Sequence, residues 1–110
     1  MQIKRIHGML GFAMRAGKLV IGTEQVFSSL TKKDYIRLVV FSEGASDATK
    51  KKISTKCDFY KVNKLRIPTS PEELGRLLGK DTTPVCIGVC DEGFAKEIAL
   101  AAEDNGQTPR

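Results

Sequence analysis

Tryptophan is absent, histidine occurs once, and aromatic residues make up only 6% of the 110 residues. The one histidine, His7, lies in what reads as an N-terminal helix, and no serine or cysteine sits in a nucleophile-elbow context. Hydrolytic chemistry therefore has no constellation to work with, and His7 reads as a surface residue. The carboxylate pairs Glu72/Glu73 and Asp91/Glu92 fall at helix starts, where the helix dipole already accounts for them. Cys57, Cys86 and Cys90 are odd in number, lack CxxC spacing and lie in apolar segments, which predicts reduced, buried thiols in a cytosol. Cys86 and Cys90 fall on one face of a strand, but no other soft ligand accompanies them. A GxGxxG run is missing too. The nearest approach to a Walker sequence, Gly11 to Gly17-Lys18, has five intervening residues instead of four, with Leu19 where a Mg²⁺-binding hydroxyl belongs. No apolar run is long enough to cross a bilayer, and no h-region or cleavage site follows Lys4 and Arg5. These absences predict an unexported cytoplasmic protein that is no enzyme, touches no membrane and holds neither metal nor cofactor.

What is present is an ordinary globular composition, 41% hydrophobic and 28% charged, sufficient to bury one core without disulfide staples. Residues 1–103 are expected to form a single domain and 104–110 a flexible tail. The formal net charge is +5 and the pI about 9.2. An excess of that size favours polyanionic partners and says nothing about fold.

Along the chain, Ile3, Ile6, Leu10, Ala13 and Met14 recur at helical spacing, and Gly17 supplies the left-handed residue past that helix. Leu19-Val20-Ile21 reads as a short strand, and Gly22-Thr23 opens a second helix with Val26, Phe27 and Leu30 inward. Tyr35 to Phe41 is a nearly continuous apolar run, predicting a central strand covered on both faces. Ser46 caps a third helix with Thr49, Ile53 and Cys57 inward, whose Lys50-Lys51-Lys52 run reads as a solvated face. Phe59–Val62 and Leu65–Ile67 read as two short strands split by Asn63. Ser70-Pro71-Glu72-Glu73 combines an N-cap serine, proline at the first helical position and a capping-box glutamate, so a helix burying Leu74, Leu77 and Leu78 begins there. Pro84 to Cys90 reads as a second buried strand, and Asp91 caps a last helix with Phe94, Ala95, Ile98, Ala101 and Ala102 inward. Alternating helices and strands with two wholly apolar strands predict an α/β fold, helices on both faces of one small sheet.

The most suggestive stretch is Arg15 to Val26, a basic turn, a short strand and the start of a helix. Unpartnered N–H groups at the helix start, the dipole and adjacent cations together attract phosphate. Ser42-Glu43-Gly44 lies past the carboxyl end of the central strand, where open α/β sheets place ligands. The loop from Gly79 to Cys86 can add a wall for a splayed base. Aromatic residues outside the core stripes are few, which disfavours a sheet face that stacks single strands.

Four separated stretches resemble one family: Arg15-Ala16-Gly17-Lys18-Leu19-Val20-Ile21-Gly22, Ser42-Glu43-Gly44-Ala45-Ser46, Glu73-Leu74-Gly75-Arg76-Leu77-Leu78-Gly79 and Asp91-Glu92-Gly93-Phe94-Ala95. Their types and order resemble the ribosomal L-seven-Ae / L-thirty-e superfamily of kink-turn RNA binders, particularly its small bacterial members. The resemblance implies a three-layer α-β-α sandwich around a small mixed four-stranded sheet, and a non-catalytic, monomeric binder of ribosomal or other structured RNA. It further implies that the helix opening at Gly22 enters the major groove at the kink and that the Gly79–Cys86 loop covers an extruded nucleotide. The RNA-binding residues so implied are Arg15, Lys18, Gly22, Thr23, Glu24, Gln25, Ser28, Glu43, Lys80, Thr82, Thr83, Pro84 and Val85. Where the family's binders follow the glycine with x-Asn-Glu-x-x-Lys, this chain has Thr23-Glu24-Gln25-Val26-Phe27-Ser28. Gln25 can still donate and accept at a guanine edge. Glu24, Ser28 and Asp81 leave open a second reading, a protein-interaction module of the translation machinery with weakened kink-turn binding.

Overall fold

In the computed structural model, which describes residues 1–103, helices and strands alternate as α1 (Ile3–Arg15), β1 (Leu19–Ile21), α2 (Thr23–Ser29), β2 (Leu38–Phe41), α3 (Asp47–Tyr60), β3 (Asn63–Arg66), α4 (Pro71–Leu77), β4 (Cys86–Val89) and α5 (Glu92–Glu103). The expected tail, 104–110, lies outside the described residues. The strands form one mixed sheet in the order β1-β4-β2-β3. β4 runs antiparallel to both neighbours, with Ile21 opposite Ile87 and Phe41 opposite Cys86, while β2 and β3 are parallel.

The two apolar strands occupy the centre of the sheet, and every residue of each is buried. Their side chains alternate between two cores, as the pleat requires. Leu38, Val40, Ile87 and Val89 face α1, α4 and α5, packing with Ile6, Leu10, Leu74 and Ile98. Val39, Phe41 and Cys86 face α2 and α3, packing with Val26, Leu30, Ile53 and Cys57. This is the three-layer sandwich that the motifs imply.

Three helix starts are capped by the side chains read for them. Ser46 accepts the Thr49 N–H and Ser70 the Glu73 N–H, both at 3.1 Å, and Asp91 Oδ2 accepts the Phe94 N–H at 2.9 Å. Two expectations need correction. Phe59 and Tyr60 are the last turn of α3, not a strand; Lys61 adopts the left-handed conformation at φ 59°, and the Val62 N–H closes the helix on the Cys57 carbonyl at 2.8 Å. That C-terminal motif overrides the β propensity of the aromatic pair, and one strand then runs through Asn63. The central strand also starts late, at Leu38. Asp34 sits at φ 57° and the Tyr35 N–H turns back to the Lys32 carbonyl, so Tyr35 belongs to the turn, and Ile36 and Arg37 lead from it to the strand.

Candidate nucleic-acid interface

Because β4 is antiparallel to β1 and β2, its first residues meet the last residues of both neighbours at one end of the sheet. There the Gly22 N–H donates to the Cys86 carbonyl and the Ser42 N–H to the Val85 carbonyl, each at 3.0 Å, while the Glu43 N–H donates to the Thr69 carbonyl at 2.8 Å. Three chain crossings are thus pinned together: the entry to α2, the exit from β2 and the loop before β4. They carry Gly22, Thr23, Glu24, Gln25, Glu43, Thr82, Thr83 and Val85.

Gly22 is held at φ 108°, a backbone region that L side chains rarely adopt, and an added Cβ would lie 2.5 Å from Gln25 Oε1. The Gln25 carboxamide therefore lies against the bare Gly22 backbone at the start of α2. No side chain caps this helix, whose first intrahelical bond is Val26 N–H to the Gly22 carbonyl at 2.9 Å. The N–H groups of Thr23, Glu24 and Gln25 precede that bond and point outward along the axis.

The 79–85 loop is shaped by a second close approach. A Cβ on Gly75 would lie 1.9 Å from the Thr82 carbonyl oxygen, so the loop backbone rests directly on α4, with Lys80 N–H bonded to the Gly75 carbonyl at 2.9 Å. Lys80, Thr82 and Thr83 are exposed and Val85 is half-buried. Pro84 is buried and packs towards Gly75, so it anchors the loop beneath the exposed Thr82 and Thr83.

Arg15 and Lys18 are not part of this constellation. The Lys18 carbonyl accepts the Cys90 N–H at 2.8 Å, which places it at the far end of the β1/β4 ladder. The three strand residues Leu19–Ile21 separate Lys18 from Gly22, four extended steps or about 13 Å. Arg15 lies at the same far end, its guanidinium 4.9 Å from the Phe12 ring centroid. Adjacency in sequence suggested one cluster; the intervening strand divides it.

The cations that do reach α2 come from α3. Lys52 Nζ lies 3.5 Å from Glu24 Oε2 and 4.5 Å from the Phe27 ring centroid. Lys56 Nζ donates to the Phe27 carbonyl at 2.6 Å and sits 3.7 Å from the same centroid. Ser28, where the family's binders carry lysine, donates instead to the Glu24 and Gln25 carbonyls of its own helix. Two cations of the neighbouring helix thus lie against α2. The sequence reads Lys52 only as part of a solvated face, because which helix lies beside α3 is not a local pattern.

Burial holds the three thiols in their protonated form. Burial pushes Cys57 up to about 11, with Lys64 opposing and Asp58 adding to the rise. Burial and then the proximity of Cys57 push Cys86 up to about 12. Burial also raises Cys90, against a hydrogen bond from Tyr35 and the charges of Lys18 and Lys32. All three are free cysteines, and no cluster of three or more potential metal ligands occurs among the described residues. His7 is half-buried, its Nε2 2.8 Å from the hydroxyl of the buried Thr69, where the sequence suggested a surface residue. That bond ties α1 to the segment ahead of α4. No helix among the described residues is long and apolar enough to cross a membrane.

Comparison with known proteins places this geometry among relatives. The chain is 38% identical over 90 residues to RNA-binding protein YlxQ of Bacillus subtilis (strain 168), spanning 82% of this chain and 87% of the relative. It is 34% identical to RNA-binding protein YlxQ of Enterococcus faecium, spanning 81% and 82%. A solved structure of a Bacillus halodurans C protein with unknown function superposes at a TM-score of 0.84, with 34% identity and coverage of 91% of this chain and 98% of that one. The Giardia lamblia 15.5kD RNA binding protein shares the fold at a TM-score of 0.73 and 12% identity, covering 92% and 84%. A model of one family matches residues 4–99, nearly the whole described chain. This protein belongs to the ribosomal protein L7Ae/L30e/S12e/Gadd45 family.

Proposed function

We propose that this chain is a cytoplasmic, non-catalytic RNA-binding protein that docks the sheet end around Gly22 onto a kink-turn, or a related internal loop, of ribosomal or other structured RNA. The observation that carries the reading is the Gln25 carboxamide lying against Gly22 at the uncapped start of α2, pinned beside the loops at Ser42 and Val85. In this reading the α2 entry lies in the groove: Gln25 reads a base edge by donating and accepting, and the N–H groups of Thr23 and Glu24 face phosphate. Glu24 is tolerable near phosphates because Lys52 is already paired with it. Thr82, Thr83 and Val85 form the side against which a flipped nucleotide rests, with Lys80 and Glu43 at its rim. The relatives named as RNA-binding proteins support the class of ligand, and the protein acts as a monomer.

The test is a titration against a kink-turn RNA and a straight duplex of equal length at two salt concentrations. A preference for the bent RNA that survives the higher salt is expected, since shape and base contacts add to the phosphate contribution. Equal, salt-sensitive binding to both would reduce the chain to a basic surface and overturn the kink-turn assignment.

A further inference from the structure

Phe59 is 77% exposed, the most exposed large hydrophobic side chain among the described residues, and Tyr60 beside it is 39% exposed. Neither belongs to the two cores. They are not stray. With Phe27, Lys51, Lys52 and Lys56 they line an open groove of about 730 Å³ along the α2/α3 seam. Its α3 wall is built at helical spacing, Ala48, Lys51/Lys52, Thr55/Lys56 and Phe59, so one stripe of the helix faces it throughout.

Two features decide what fits. No acidic residue lines the groove, and Lys51 and Lys56 have no ion-pair partner among the described residues, whereas Lys52 is paired with Glu24 at the groove's edge, and Lys50 and Lys64 with Asp47 and Asp58. Its apolar surface is aromatic, with the Phe59 and Tyr60 rings edge to face at 4.9 Å at its rim and Phe27 beneath two ammonium groups. Planar apolar surface interleaved with unneutralised cations suits a ligand that is alternately planar and anionic, as a single nucleic-acid strand is. Duplex does not suit it, because paired bases offer no free face.

The groove also continues from the candidate interface, since Phe27 lies on α2 one turn beyond Thr23 and Lys52 bridges to Glu24. We propose that the Phe27/Phe59/Tyr60 groove is a second binding site, which takes a single-stranded RNA segment by stacking bases on Phe59 and Tyr60 and pairing phosphates with Lys51 and its neighbours. It rests on the kink-turn reading only for the origin of the strand, an unpaired flank leaving the bent RNA.

The test uses the full chain and a labelled octaadenylate, with a kink-turn RNA lacking single-stranded ends titrated separately. Octaadenylate binds the wild type; Phe59→Ala weakens that binding roughly five- to hundredfold, and Lys51→Ala lowers its salt slope by about 0.7. Both variants leave binding of the blunt kink-turn RNA unchanged. Phe59→Trp retains affinity, and its fluorescence is quenched as bases stack on it. Absence of octaadenylate binding overturns the proposal, as does binding indifferent to Phe59→Ala. Equal competition by octaglutamate or by anionic phospholipid vesicles overturns it in favour of a protein or membrane surface. If octaadenylate behaves as expected while the kink-turn preference is absent, the groove stands and only the kink-turn reading falls.

Discussion

Gly22 and Gln25 constrain one another, and substitutions at the two positions separate folding from recognition. At φ 108°, Gly22→Ala suffers backbone strain, and the exposed Gln25 carboxamide must swing out of the space the new Cβ takes. A loss of about 1–3 kcal/mol in urea-unfolding free energy is expected. Gln25→Ala removes an exposed side chain and so is expected to leave stability within about 0.5 kcal/mol. Its effect should appear in binding: a lost base-edge contact is worth about 1–3 kcal/mol, roughly five- to hundredfold in affinity for kink-turn RNA. Unchanged affinity in Gln25→Ala would remove that residue from the interface, and a fully stable Gly22→Ala would show that the α2 entry can relax.

At the scale of elements, the seam between α2 and α3 carries the electrostatics that α2 alone lacks. If Lys52 makes the α2 entry acceptable to phosphate, Lys52→Ala should weaken kink-turn binding and reduce the slope of log K against log salt by about one unit. Adding Ser28→Lys to that variant should restore the slope, because position 28 lies one helical turn from Glu24. An unaltered slope in Lys52→Ala would show that this cation serves only Glu24 and Phe27. The seam also shows what a single sequence conceals. Capping boxes, central strands and inward stripes are local patterns, and Ser46, Ser70, Asp91, Leu38–Phe41 and Cys86–Val89 were readable because each depends on a few neighbours in the chain. Lys52 meeting Glu24 depends on how two helices lie on a sheet, which periodicity does not specify. Phe59 and Tyr60 misled for a related reason: their propensity favours a strand, but the left-handed cap at Lys61, immediately after them, decides the element. Arg15 and Lys18 misled in the opposite sense, close in sequence to Gly22 yet carried to the other end of β1.

For the whole molecule, the second core sets a dependence of stability on pH. Cys57 and Cys86 are fully buried between the sheet and α3, and burial raises them to about 11 and about 12 from an ordinary thiol value of 9.0. In the unfolded chain both ionise near the ordinary value, whereas in the fold both stay protonated well above it. Their contribution is therefore fully present below pH 9. Between pH 9 and 11 the folded state binds more protons than the unfolded one, so unfolding free energy falls as pH rises, by at most about 1.4 kcal/mol per pH unit for each thiol. Lysines and tyrosines titrate over part of the same range, so the thiols must be isolated by difference. Cys86→Ala is expected to be less stable at pH 7, because it opens a cavity beside Phe41 and Ile53. Its stability should nevertheless decline less steeply above pH 9, by about one thiol's share. Urea midpoints measured at pH 7, 9, 10 and 10.5 on both proteins give the two slopes. Parallel slopes would mean that the Cys86 thiol is no more reluctant to ionise in the fold than in the open chain, and the packing of β4 against α3 would then have to be looser than this sheet and its two cores require.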